Sequence, residues 1–207
     1  MNFLAHLYLS GNDTDIRLGN FIADHVKGNQ IHSYPAAIQM GIKLHRRIDF
    51  ITDMHESWKA CRELLRPSFG RWSGVTTDVM LDYVLAKQWQ TYSNRPLKGF
   101  TRTFYFQMLQ HYHILPSSVR GFLPFMIQSN RLYSYGTDEG IIRALEIMCR
   151  YTPMQGNPTF ALSIVKENYD IFSVKLKKLL GTLTKLAENE FAINISMPHN
   201  VRHRSEA

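Results

Sequence analysis

Thr76-Thr77-Asp78-Val79-Met80-Leu81-Asp82-Tyr83-Val84-Leu85-Ala86-Lys87-Gln88-Trp89-Gln90 reads as one helix. With Val75 just before it, the positions Val75, Asp78, Val79, Asp82, Leu85, Ala86 and Trp89 recur at the i, i+3, i+4, i+7 spacing that builds an apolar stripe. Two aspartates stand on that stripe. An ionised carboxylate turned toward a core costs several kcal/mol unless a cation, a metal or several donors offset it, so the stretch requires a positive partner. An earlier segment makes the same demand, because Ile38, Gly41, Ile42, His45 and Asp49 share a helical face while Lys43, Arg46 and Arg47 turn away from it. Carboxylates and imidazoles at helical spacing on two inward faces point to a metal site.

Working outward, helical signals cover most of the chain. The turn Gly11-Asn12-Asp13 offers caps to a helix near 15–27, closed by Gly28-Asn29. Ser33 and Pro35 open a long helix to about Asp53, and a shorter one over 56–65 stops at Pro67 and Gly70. Ser73 starts the helix quoted above, and Asn94-Arg95-Pro96 ends it. Further helices are predicted near 97–112, 117–130 and 138–151, with a last amphipathic run over 158–189 that bends at Gly181. No alternating strand pattern and no repeat is present. The expected fold is therefore all-α, a single-domain helical bundle over 1–195, with a loose basic tail over 196–207 that carries His199, Arg202, His203 and Arg204.

Composition sets the outer bounds. A chain of 207 residues that is 44% hydrophobic and 12% aromatic can bury a full core, which excludes disorder. Cys61 and Cys149 lack metal or redox spacing and read as small core residues in a reducing cytoplasm. The start of the chain has no basic leader, and no run reaches the roughly 18 apolar residues of a membrane span, so a membrane is not an expected partner. The formal charge is +7 even though Asp24, Asp49, Asp78 and Asp82 are four of the 17 acids. If a cation absorbs those four, the surface left for encounter is more basic than the total suggests. It has stretches at Arg62, Arg66 and Arg71 and at Lys175, Lys177 and Lys178, but no block of like charge that would mark a nucleic-acid partner. An acidic macromolecular substrate fits that surface, as does an ordinary solvated one.

Several motifs in order resemble a known family. Asn2-Phe3-Leu4-Ala5-His6, Gly19-Asn20-Phe21-Ile22-Ala23-Asp24 with Lys27-Gly28, Gly41-Ile42 before His45-Arg46-Arg47-Ile48-Asp49, and Thr52-Asp53 are similar to acyl carrier protein phosphodiesterases. Asp78-Val79-Met80-Leu81-Asp82 with Trp89, and Leu132-Tyr133, Tyr135 and Glu139-Gly140-Ile141, extend the resemblance over roughly residues 1 to 190. It departs at Glu56, where many relatives carry proline, and at Arg131, where tryptophan is common. The resemblance implies an HD-phosphohydrolase-like helical fold and a divalent metal, manganese or magnesium. It also implies hydrolysis of the phosphodiester between 4'-phosphopantetheine and a serine of acyl carrier protein.

The chemistry of the residues agrees with that implication. A phosphodiester anion repels hydroxide, so its hydrolysis calls for a cation that neutralises the phosphoryl oxygens and acidifies water. Asp24, Asp49 and Asp78 as oxygen donors, with His45 and His6 as nitrogen donors, suit Mn2+, Mg2+ or Fe2+ better than a structural zinc. Asp82 is read as a further ligand or as a group that orients a ligand or accepts a proton. Arg46 or Arg47 is expected beside the phosphate as a charge clamp. Duller roles compete: His45 as a core histidine, Asp24 as a cap or ion-pair partner, and Phe122 to Met126 as core rather than a pantetheine-lining wall. Two other classes fit the same scaffold, a nucleotide or other small-phosphodiester hydrolase and a non-enzymatic partner of carrier proteins. The metal reading expects the His45/Asp49 face to pack on the Asp78/Asp82 face, with Asp24 closing the cluster below a cleft.

Overall fold

The computed structural model describes residues 1–195, so the basic tail lies outside the described residues. Within them the chain is helical throughout, in the order α1 (Phe3–Leu9), α2 (Thr14–Ile22), α3 (Ala36–Met54), α4 (Glu56–Phe69), α5 (Ser73–Lys87) and α6 (Trp89–Tyr92). There follow α7 (Leu97–Gln110), α8 (Ser117–Gln128), α9 (Arg131–Ser134), α10 (Asp138–Tyr151), α11 (Pro158–Glu167) and α12 (Tyr169–Phe191). No strand occurs among the described residues, and the buried apolar side chains join into one core, as an all-α single-domain reading requires.

Local chemistry sets the helix ends. Asp13 caps α2 by accepting the Ile16 N–H, Thr137 caps α10 through Gly140, and Asn157 caps α11 ahead of Pro158. Several boundaries differ from the sequence reading, among them that of the run over 76–90, which divides at Gln88 into α5 and α6 instead of forming one helix. The helix predicted to reach 27 stops at Ile22 and tightens into a 3-10 turn, Ala23–His25, which swings Asp24 off the helix axis. Pro67 does not end α4, which runs on to Phe69 before Gly70. The run over 158–189 breaks at Asn168 rather than bending at Gly181, because Asn168 turns its side chain onto the Ile164 carbonyl while α12 passes through Gly181 unbroken.

Two features position the site. α5 is buried nearly all round, with Thr76, Thr77, Val79, Met80, Leu81, Asp82, Tyr83 and Val84 all inside, so it is the central helix rather than an amphipathic surface one. Its more open side carries Val75 and Asp78. Against it, α2 and α3 approach at Gly19 and Gly41. A Cβ on Gly19 would collide with the Ile38 carbonyl, and one on Gly41 with the Ile16 carbonyl. Only glycine permits that approach, and it brings Asn20 of α2 against His45, one turn beyond Gly41 on α3.

Candidate active site

The His45-Asp49 spacing on α3 places imidazole and carboxylate on one face, where His45 Nε2 lies 3.1 Å from Asp49 Oδ2. His6 of α1 enters from the other side. Its ring stacks on that of His45 with centroids 4.0 Å apart, and its Nε2 lies 3.0 Å from Asp49 Oδ1. One carboxylate therefore bridges two imidazoles. Asn20 fixes their orientation, because its Oδ1 sits 2.9 Å from His6 Nδ1 and 3.0 Å from His45 Nδ1. An amide oxygen only accepts, so both Nδ1 atoms carry hydrogen and both Nε2 atoms face the carboxylates. The Asn20 amide nitrogen is held in turn by the His6 carbonyl and the Ser10 hydroxyl, at 3.0 and 2.9 Å. Asp24, on its 3-10 turn, brings Oδ1 to 3.2 Å from His45 Nε2 while staying exposed.

The electrostatics follow from this geometry. Burial and the neighbouring His45 depress His6 to about 4. Burial also works against a charged His45, but the bonds to Asp24 and Asp49 outweigh it and raise that imidazole to about 9. Asp49 is half-buried, which works against its charge, yet the His45 and His6 rings hold it well below the usual carboxylate range. Asp78 of α5 accepts from Trp58 Nε1 at 2.7 Å and lies 3.3 Å from the Met1 ammonium, which is also 3.4 Å from Asp49. Burial pushes Asp78 upward, opposed by that ammonium and by Trp58. The positive partner that the sequence demanded is thus supplied here by His45 and the Met1 amine.

Of these groups, Asp24, Asp49, Asp78 and Met1 face a cleft of about 490 Å³. Asp24, Asp49, Asp53 and Asp78 line it beside Met1, Asn2, Phe3, Val75 and Val79, with Arg131, Tyr135, Ala144 and Met148 completing the wall.

The sequence profile of acyl carrier protein phosphodiesterases matches residues 1–183. The chain belongs to this family. Among similar proteins, acyl carrier protein phosphodiesterase of Klebsiella pneumoniae (strain ATCC 700721 / MGH 78578) is 34% identical over 194 residues, covering 92% of this chain and 99% of the relative. That of Photorhabdus laumondii is 30% identical over 194 residues, 92% of this chain and 96% of the relative. That of Pectobacterium atrosepticum is 44% identical over 101 residues, 48% and 52% of the two chains. No solved structure matches the chain.

For this phosphodiesterase-family chain the donor set fits a divalent cation. Ligand atoms of His6, His45 and Asp49 lie within 4.8 Å of one another, all nitrogen or oxygen, with Asp24 and Asp78 adjoining. Three of the sequence-predicted residues lie elsewhere. Asp82 is fully buried, and its oxygens accept the Leu4 and Ala5 N–H groups at 2.7 and 3.1 Å, so it caps α1 from across the core instead of facing the cleft. Arg46 donates to the Val26 carbonyl at 3.0 Å, and Arg47 pairs with Glu190 at 2.8 Å. Neither arginine lines the cleft, since a position one residue past His45 is rotated about 100° around α3. Leu123 and Met126 are core, whereas Phe125 is exposed, and neither they nor Phe122 line the cleft. Sequence reading missed the orienting role of Asn20, whose signal is its place next to Gly19 at a close helix crossing. It also missed the place of Arg131 on the cleft wall.

Proposed function

We propose that this chain is a metal-dependent phosphodiesterase that releases 4'-phosphopantetheine from a serine of holo acyl carrier protein, leaving apo carrier. Membership of the family makes it a phosphoric diester hydrolase. The observation that carries the finer reading is the convergence of His6, His45 and Asp49, beside Asp24, next to a cleft of about 490 Å³ that Asp49 and Asp24 line. A His-Asp pair on helices also suits kinship with HD phosphohydrolases. The relatives' names specify acyl carrier protein, and a net charge of +7 favours an acidic protein partner. Among the described residues no helix is long and apolar enough to cross a membrane, and the proposed setting is the cytoplasm, where carrier substrate and reduced thiols coexist.

His6, His45, Asp49 and Asp24 would hold the cation, with Asp78 adjoining; Mn2+ fits best, with Mg2+ or Fe2+ as alternatives. Once bound, such an ion neutralises phosphoryl charge and lowers the pKa of water toward neutrality. The chain's own residues do the rest. Asn20 Oδ1 keeps both Nδ1–H groups turned inward, so the Nε2 atoms stay aimed at Asp49 and Asp24. Before a cation binds, the His45 Nε2 proton is held between Asp24 Oδ1 and Asp49 Oδ2, and the exposed Asp24 carboxylate gives it a route to solvent when the cation takes that nitrogen. Trp58 and the Met1 ammonium offset the repulsion between Asp78 and Asp49. Incubating holo carrier with Mn2+ and either the native chain or its Asp49→Ala variant tests the reading. Free 4'-phosphopantetheine and apo carrier should form with the native chain alone. Intact holo carrier in both reactions would refute it.

A further inference from the structure

The cleft lining is electrically one-sided. Four carboxylates, Asp24, Asp49, Asp53 and Asp78, face it, and the Met1 ammonium among them is already bound by Asp49 and Asp78. Arg131 carries the one basic side chain of the lining, and among the described residues its guanidinium has no ion pair and no hydrogen bond. A guanidinium offers five N–H donors in a planar fork suited to two oxygens of a phosphate. Its backbone is fixed rather than loose. Asn130 takes the left-handed conformation, φ 44°, which ends α8 and starts α9 in a new direction, and asparagine tolerates that region. The Leu132 N–H then donates to the Tyr105 hydroxyl at 2.9 Å while Leu132 and Tyr135 are buried, so Arg131 is left as the residue of α9 on the cleft. A second part of the lining is apolar. Val75 and Val79 on α5 and Ala144 and Met148 on α10 each form an i, i+4 pair, and the two pairs make a wall without charge.

We propose that Arg131 is the substrate-binding cation of this cleft. It receives the phosphodiester through its free guanidinium fork, while the wall of Val75, Val79, Ala144 and Met148 seats the pantetheine arm. The assignment rests on the proposed reaction for the identity of the arm, but the anion-binding role of Arg131 stands on the lining itself. A phosphodiester entering a site with four carboxylates meets repulsion on the path, and Arg131, which stands where many relatives carry tryptophan, gives this chain a counter-charge that no neighbour has neutralised.

The test uses the full metal-loaded chain and two probes, inorganic phosphate and 4'-phosphopantetheine, titrated calorimetrically into the native protein, Arg131→Gln, Arg131→Lys and Met148→Trp. Thermal unfolding of each variant is followed in parallel. Arg131→Gln should weaken both probes by about 10- to 100-fold, the loss expected for a charged hydrogen-bonded contact, and should lower kcat/KM on holo carrier by a similar factor without lowering Tm. Arg131→Lys should recover part of the affinity, because it keeps charge but loses the fork. Met148→Trp should weaken 4'-phosphopantetheine while leaving phosphate unchanged. Native affinity of Arg131→Gln for both probes overturns the assignment of Arg131, and equal binding of 4'-phosphopantetheine by Met148→Trp overturns the wall. If the native chain binds the probes but releases nothing from holo carrier, the reaction fails while Arg131 stands. If it releases 4'-phosphopantetheine and Arg131→Gln does so equally well, Arg131 alone fails.

Discussion

Replacing Asp82 by Asn should change how stability depends on pH, because Asp82 is a buried acid that no side-chain cation touches. Burial lifts its pKa from 3.8 to about 7, although the Leu4 and Ala5 N–H groups and the Met1 ammonium pull the other way. Between those two values the folded chain holds a proton that the unfolded chain has released. The sign follows: this contribution is fully present below the unfolded pKa and is lost as pH rises through the folded one. Each pH unit in that window removes about 1.4 kcal/mol, so about 2–3 kcal/mol should disappear between pH 5 and pH 7. Asparagine cannot titrate. Its oxygen can accept one of the two α1 N–H groups but its amide nitrogen cannot accept the other, so at pH 5 the variant should be about 1–3 kcal/mol less stable than the native chain. By pH 7 the gap should have closed or reversed. His6, depressed to about 4, and His45, raised to about 9, titrate in both proteins and cancel in the difference. Urea unfolding followed by circular dichroism with chelator present measures it. Parallel profiles of the two proteins over this range would refute the buried-acid account of Asp82.

Three further outcomes are expected. Asn20→Ala should leave the two imidazoles without a common acceptor and weaken divalent-cation binding by about 10- to 100-fold, read by calorimetry; unchanged affinity would remove the orienting role. Gly41→Ala should destabilise the chain by about 1–3 kcal/mol or more, since the new methyl meets the Ile16 carbonyl, and a native-like urea midpoint would contradict the helix crossing described. Added salt should lower kcat/KM on holo carrier through association while leaving kcat at saturation nearly constant; equal loss on a small chromogenic phosphodiester would argue against steering of an acidic protein.

The sequence carried the helical class and the His45-Asp49 pair openly, because i, i+4 spacing on an inward face has one structural meaning. It could not separate Asp78 from Asp82. Both stand on the same stripe, and what divides them is a partner more than 70 residues away, since the N-terminal turn of α1 claims Asp82 and leaves Asp78 to the cleft. Arg46 looked well placed by adjacency to His45, yet adjacency on a helix is rotation by about 100°. Arg131 gave no periodic signal at all, because it sits on a four-residue helix set by the left-handed turn at Asn130. The break at Asn168 was hidden for a related reason: an asparagine competing for a backbone carbonyl leaves no mark on the apolar period.

The claim that His6, His45 and Asp49 form a metal centre is tested most directly by titrating Mn2+ into the metal-stripped chain and into its Asp49→Ala variant by calorimetry. Saturable binding to the native chain with release of protons, as His45 gives up its Nε2 hydrogen, and loss of that binding in the variant, is the predicted result. Equal binding by both proteins, or none by either, would contradict it.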